Sequence, residues 1–384
     1  MTRSIITPIP AEAAQRRLMN IEEEIIGALR DTIHSGQYLL GDQVEALEQH
    51  ISERWSSPLA VATSSGTTAL QLALAAAKVG AGAEVIVPAL TFPSTSFAVN
   101  AVGATPVFAD IDPVTLTLSP AAVEKAITDK TAAIMPVHLY GQVADMDSLL
   151  QIAKAHNLKV IEDCAQAHGA RLGDRFAGAM GDFGSFSFWV GKIAGGLEDA
   201  GFVLARQPES RFVLQQLRDI GRLPGDRYTH ISWGLRGRMG EFTARVIQLE
   251  MDRLDEWLEQ RRAIAARYTE SFADLPLQLP RPAHPENHVY YKYTVLTKSP
   301  EHRQAIEQVM YEANIQPERI YPELVCSQPA YTRSGLPHRL TDLTVAEDTV
   351  HRLLCLPIYP ELTPQEVDRV LGAVRAGCGA VKTA

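Results

Sequence analysis

Three short stretches of the chain combine residue types that can do chemistry. Thr63-Ser64-Ser65-Gly66-Thr67-Thr68 stands between a β-rich run and a helical one. Small hydroxyls and a glycine at a helix start offer free backbone N–H groups, hydroxyl donors and the positive end of the helix dipole, which suit a phosphate. The same residue types also make an ordinary N-cap. No Gly-Lys-Ser/Thr follows, so the stretch is not a Walker loop. Val160-Ile161-Glu162-Asp163 ends an apolar strand on an acid, at the place where open α/β sheets bind ligands. Asp163 there can hold a cationic ring nitrogen, cap a helix or ligate a metal. Ser187-Phe188-Trp189-Val190-Gly191-Lys192 follows another strand, with Gly195, Gly196 and Gly201 close behind. A desolvated lysine in such a setting is a Schiff-base nucleophile. A solvated one is a surface charge.

The three together are more specific than any one. A phosphate site, an acid about 100 residues on and a lysine about 30 residues later match the needs of pyridoxal 5′-phosphate. Its phosphate is anchored, its ring nitrogen is kept protonated and its aldehyde is held as an imine.

The elements around these stretches alternate. Strands are expected at 59–63, 84–88, 105–110, 132–137, 159–162, 183–188 and 201–205. Several are apolar throughout, as in a parallel sheet buried on both faces. Helices are expected between them at 67–77, 120–128 and 147–155, and the first 55 residues read as helical with breaks at Gly36 and Gly41. This rhythm predicts a doubly wound α/β domain with a mostly parallel sheet. One long helix is expected over 240–269, then a Pro-rich segment, a strand over 289–296 and a closing helix over 364–375. The reading is a large domain over 1–250 and a smaller C-terminal α+β domain over 251–384.

Composition bounds the function. The chain has 384 residues and a formal net charge of −9, which speaks against nucleic acid as the main partner. No apolar run is long enough to span a membrane, and the N-terminal residues do not resemble a signal peptide. The four cysteines include no Cys-x-x-Cys pair. That pattern suits unpaired thiols in a reducing cytoplasm, with no metal site.

The chain resembles the DegT/DnrJ/StrS sugar aminotransferases, pyridoxal phosphate enzymes of the aspartate-aminotransferase fold type I, over about residues 20 to 375. The resemblance is carried by Ser35-Gly36-Gln37-Tyr38-Leu39-Leu40-Gly41, Ser65-Gly66-Thr67, Pro88-Ala89-Leu90-Thr91-Phe92, Pro136-Val137-His138-Leu139-Tyr140-Gly141, Glu162-Asp163-Cys164-Ala165-Gln166 and Leu356-Pro357-Ile358-Tyr359-Pro360. It implies that Lys192 forms the internal aldimine and moves protons, and that Asp163 pairs with the pyridinium. It also implies that Phe92 stacks on the ring, that Gln166 lies near its phenolic oxygen, and that Ser65, Gly66, Thr67 and Ser187 bind the phosphate. His168 and His138 lie in matching motifs, as catalytic or as core histidines.

Four departures stand out. Val190-Gly191 replaces a usual Pro-Thr before the lysine, and Glu198-Asp199-Ala200-Gly201 replaces a Gly-rich run after it. Arg236 stands in Gly234-Leu235-Arg236-Gly237-Arg238 where the family has Asn, and Arg319-Ile320-Tyr321-Pro322 lacks the usual His. The expected function is transfer of an amino group from glutamate or glutamine to a keto-sugar or cyclitol ketone. The expected assembly is a homodimer with shared active sites, in which Arg236 reaches the partner's cofactor phosphate or binds a substrate anion. The alternatives are a related enzyme that aromatises or dehydrates a cyclic ketone, and a cofactor-binding regulatory protein without turnover.

Overall fold

The computed structural model describes residues 7–223, 225–282 and 287–380. Its strands are β1 Leu59–Thr63, β2 Glu84–Pro88, β3 Thr105–Ala109, β4 Thr131–Ile134, β5 Lys159–Asp163, β6 Arg171–Leu172, β7 Arg175–Phe176, β8 Phe183–Ser187, β9 Gly201–Ala205, β10 Tyr293–Leu296, β11 Arg339–Leu340 and β12 Leu353–Leu356. Eight form one sheet in the order β1-β9-β8-β5-β4-β2-β3-β11. From β8 to β11 the pairs are parallel, and β9 runs antiparallel to both β8 and β1.

The apolar strand runs are explained by two covered faces. Ala60, Ala62, Ile86 and Val160 face one buried cluster, which includes Val44, Leu47 and Ile51 from the helix Asp42–Arg54. Leu59, Val61, Val85, Val87 and Ile161 face the other, with Leu70 and Leu74 from the helix Gly66–Ala76. Alternate residues of each strand therefore bury on opposite sides. A third cluster surrounds the antiparallel pair β10–β12 and the helices Leu254–Phe272, Pro300–Glu312 and Pro364–Ala380. Ile9 and Ala13 belong to this cluster, and Ile9 pairs with Ile315.

Two expectations differ from the structure in ways that its hydrogen bonds explain. The helix expected over 240–269 is two, Glu241–Met251 and Leu254–Phe272. The first tightens at its end, where Arg253 N–H bonds to Glu250 O, and the Arg253 guanidinium takes Leu249 O. The strand expected over 289–296 begins only at Tyr293. The N–H groups of Val289 and Lys292 donate to Gly141 and Tyr140 instead of to β12. All four cysteines are free and buried.

One buried carboxylate organises the turn that follows β5. Glu162 accepts from His138 Nε2 (2.9 Å) and from the N–H groups of Gly178 (2.8 Å), Met180 (2.8 Å) and Gly181 (2.6 Å). Glu162→Ala would leave four buried donors unpaired, so it is expected to destabilise the fold by about 3 kcal/mol or more. Urea unfolding measures this, and a loss below about 1 kcal/mol would contradict the network's role.

Candidate active site

Register brings the three chemical stretches to one edge of the sheet. Thr63 and Ser187 both pair with Gly201, at the end of β1, the end of β8 and the start of β9. Asp163, at the end of β5, pairs with Ser185. Strand ends of this kind are where open α/β sheets place ligands.

The helix Gly66–Ala76 starts at this edge. Ser65 is its N-cap, accepting from Thr68 N–H at 3.0 Å. The first intrahelical bond is Ala69 N to Ser65 O, so Gly66 and Thr67 present their N–H groups ahead of it. A Cβ on Gly66 would lie 2.6 Å from Ser187 Cβ, so only glycine allows the helix to start so close to β8. A Cβ on Gly201 would lie 2.5 Å from the Ser65 carbonyl carbon.

A cavity of about 610 Å³ opens here. Ser65, Gly66, Thr67, Phe92, Asp163, Gln166, Ser187 and Lys192 all line it. Asp163 is 5% exposed and accepts from Thr95 Oγ1 (2.9 Å) and Ala165 N–H (3.1 Å). Burial raises its pKa, and these two bonds and the Lys192 charge oppose the rise. Lys192 is half-buried, and burial lowers its ammonium to about 8, with Asp163 opposing the fall. Phe92 keeps 54% of its surface exposed and tilts against Tyr321 at 5.8 Å. Gln166 is fixed at both ends: Oε1 accepts from Tyr140 N–H (2.7 Å), and Nε2 donates to the Tyr321 hydroxyl (2.9 Å).

Two expected residues lie elsewhere. His168 is fully buried, edge-on to Phe188 with ring centroids 4.7 Å apart, and does not line the cavity. Burial and then the Lys192 charge push its pKa down to about 3, so the ring is neutral. Arg236 is exposed and outside the cavity of its own chain, although the adjacent Gly237 accepts from Ser64 N–H at 2.9 Å. His138, Glu162 and Cys164 bring potential metal-ligand atoms within 4.8 Å of one another. His138 Nδ1 is already taken by Ala144 N–H and its Nε2 by Glu162, so the group is a core network.

Apart from the segment 319–322, the far wall was not legible in the sequence. Glu12, Tyr291, Glu318 and Tyr321 reach the cavity from the first and last parts of the chain. Lys192 Nζ and Lys292 Nζ lie 5.1 and 5.2 Å from the Tyr291 ring centroid. Lys292 is buried and bonds both Glu12 and Glu318. Ser185 Oγ is also in the wall, buried and without a hydrogen-bond partner among the described residues.

The sequence matches the model of the DegT/DnrJ/EryC1/StrS aminotransferase family over residues 19–375. The chain belongs to this family. A UDP-N-acetyl-3-dehydro-alpha-D-glucosamine 3-aminotransferase from Acidithiobacillus ferrooxidans is 35% identical over 96% of this chain and 98% of its own. The structure of DesV from S. venezuelae, solved in complex with a ketimine intermediate, is 37% identical, covers 97% of this chain and 98% of its own, and has a TM-score of 0.91. The PLP-form of a sugar aminotransferase from Streptococcus pneumoniae is 28% identical, covers 94% and 97%, and has a TM-score of 0.86. This DegT/DnrJ/EryC1/StrS member is a pyridoxal phosphate-dependent aminotransferase. Its own residues fit that cofactor, with a glycine-opened helix start for the phosphate, a buried acid for the ring nitrogen and an unpartnered Ser185 hydroxyl beside that acid.

Two outcomes follow from this geometry. A lysine with a pKa of about 8 is roughly one-fifth neutral at pH 7.4, against about one part in a thousand for an ordinary one. Capture of pyridoxal 5′-phosphate by the apoprotein, followed by absorbance, is expected to rise with pH through a midpoint near 8. Borohydride is expected to fix the cofactor on Lys192. A midpoint above about 10, or a peptide map placing the cofactor on another lysine, would overturn the assignment. Asp163→Asn is expected to keep the fold and to lose turnover by about 10³-fold, as for groups that stabilise developing charge. Near-normal steady-state kinetics in that variant would remove Asp163 from the ring nitrogen.

Proposed function

We propose that the protein moves an amino group from glutamate or glutamine to a ketone on a nucleotide-linked sugar or on a cyclitol. The reading is carried by the cavity of about 610 Å³ where Lys192, Asp163 and the helix start at Gly66 meet. A relative of nearly equal length is named for a UDP-linked keto-sugar. The cavity falls in the range of ligand sites. We assign the chain to a large cofactor-binding unit over 1–250 and a smaller unit over 251–384.

Pyridoxal 5′-phosphate supplies an electron sink when bound. Asp163 keeps the ring nitrogen protonated. Gly66, Thr67 and Ser187 would hold the phosphate, with Ser65 ordering the helix start, and Phe92 would cover the ring. Gln166, locked by Tyr140 and Tyr321, would stand beside the cofactor's phenolic oxygen. Lys192 Nζ, its pKa lowered by burial to about 8, would take and return the proton at the carbon that carries the transferred nitrogen. His168, held neutral, is a wall behind the lysine loop and not a proton carrier.

The shared-site reading rests on charge. Glu12, Asp163, Asp199 and Glu318 line the cavity, and Lys192 is the one cation among the described lining residues. Donor carboxylates and phosphates need more positive charge than that. Arg236 of the partner subunit supplies it in a homodimer. Trp189, Tyr228, Ile231 and Trp233 are exposed and suit burial against a second copy. No described helix is long and apolar enough to cross a membrane, and we assign the enzyme to the cytoplasm.

A screen of keto-sugar nucleotides and cyclitol ketones with glutamate and glutamine, read by mass spectrometry, tests the reaction. Absence of any aminated product would overturn it. Arg236→Ala is expected to weaken cofactor binding, or to raise only the substrate KM if it holds a substrate anion. Mixed with Lys192→Ala, it is expected to restore activity, because one site of the mixed dimer then carries both defects and the other neither. No recovery in a verified mixed dimer would rule out the contact in trans.

A further inference from the structure

Two side chains outside the cofactor cavity hold the backbone that carries Lys192. Arg17 lies on the helix Ala14–Met19 and Glu250 on the helix Glu241–Met251. They are 5% and 0% exposed. Arg17 Nε donates to Glu250 Oε1 at 3.1 Å. Its Nη1 donates to the Lys192 carbonyl at 2.7 Å, and its Nη2 to the Val190 carbonyl at 2.7 Å. Glu250 Oε2 accepts from Gly195 N–H at 2.6 Å. The pair therefore grips the loop on both sides of the lysine.

The loop needs such a grip. Residues 189–199 have no helix or strand, and Gly191, Gly195 and Gly196 give the backbone freedom that other residues lack. Its backbone–backbone bonds among the described residues are Lys192 N to Trp189 O and Gly196 N to Phe188 O. The contact demands a guanidinium, because one planar fork must reach a carboxylate and two carbonyls at once. A lysine at position 17 would offer a point charge without that geometry. Burying such a pair gives little stability over apolar residues of the same volume, so its value lies in the geometry it fixes.

We infer that Arg17 and Glu250 are positioning residues for Lys192, setting where its amine stands without touching cofactor or substrate. The aldehyde form of the cofactor gains affinity from a bond between Lys192 Nζ and the aldehyde carbon, an imine formed with loss of water. The amine form uses the same cavity without that bond. A loosened loop therefore penalises the aldehyde form alone, through lost preorganisation.

The test measures the Kd of apoprotein for pyridoxal 5′-phosphate and for pyridoxamine 5′-phosphate. It compares the wild type, Arg17→Met, Arg17→Lys, the double variant Arg17→Met with Glu250→Leu, and Lys192→Ala as the limit without the bond. The double variant removes both charges, so neither is left buried and unpaired. In each Arg17 variant the aldehyde form is expected to bind about tenfold or more weakly, and the amine form within about twofold of wild type. Equal weakening of both forms would overturn the proposal, as would no change in either. Loss of folding in the double variant would also overturn it, because the pair would then hold the fold and not the lysine. If Lys192→Ala does not change the ratio of the two affinities, the lysine assignment fails and the proposal fails with it.

Discussion

An acid that must stay charged out of reach of water is the constraint on which this structure depends. Asp163 ends β5 at the floor of the cavity, nearly wholly buried. Burying a carboxylate costs several kcal/mol unless hydrogen bonds and opposite charge offset it. Thr95 and the Ala165 N–H provide the bonds, and Lys192 provides the charge. Each of those partners requires a particular element end. Thr95 requires the helix Pro93–Ala101 after β2, and Lys192 requires the loop after β8. The parallel sheet is what gathers these ends at one edge.

Charged groups hold the loops of this protein, while apolar contacts hold its sheet. Glu162 closes the turn around residues 178–181, Arg17 and Glu250 fix the loop around Lys192, and Lys292 ties Glu12 to Glu318 across the far wall. A buried ion pair adds little net stability, but its hydrogen bonds are directional and fix where a backbone lies. The apolar clusters are less particular about direction. The division of labour puts directional bonds beside the site that needs defined geometry.

Most of the sheet was legible because its signals are local. β1, β2 and β9 match the expected bounds, and the motifs at the ends of β1, β5 and β8 fall where the cavity opens. A strand followed by small hydroxyls, or ending in an acid, announces itself within ten residues. The far wall gives no such signal. Glu12, Tyr291, Glu318 and Tyr321 meet only after distant parts of the chain have packed. Residues 289–292 read as strand by composition, yet two of their N–H groups bond to residues 140–141. The two-residue β11 is too short for any periodicity to reveal. His168 sits five residues after Asp163 and faces away from the cavity into an aromatic cluster, an orientation that sequence adjacency does not encode.

The grip on the lysine loop joins segments made at very different times. Arg17 and the Lys192 carbonyl are 175 positions apart, and Arg17 and Glu250 are 233 apart. As a ribosome extends the chain, strands β1 to β9 are all available before Glu250 appears. Throughout that interval the guanidinium of Arg17 remains without its carboxylate. Ile9 waits longer still, for Ile315. Contacts of such sequence separation are slow to form because the loop-closure entropy must be overcome first. A nascent chain thus has seven of the eight sheet strands early, and gains the clasp on its lysine loop and the edge strand β11 only later.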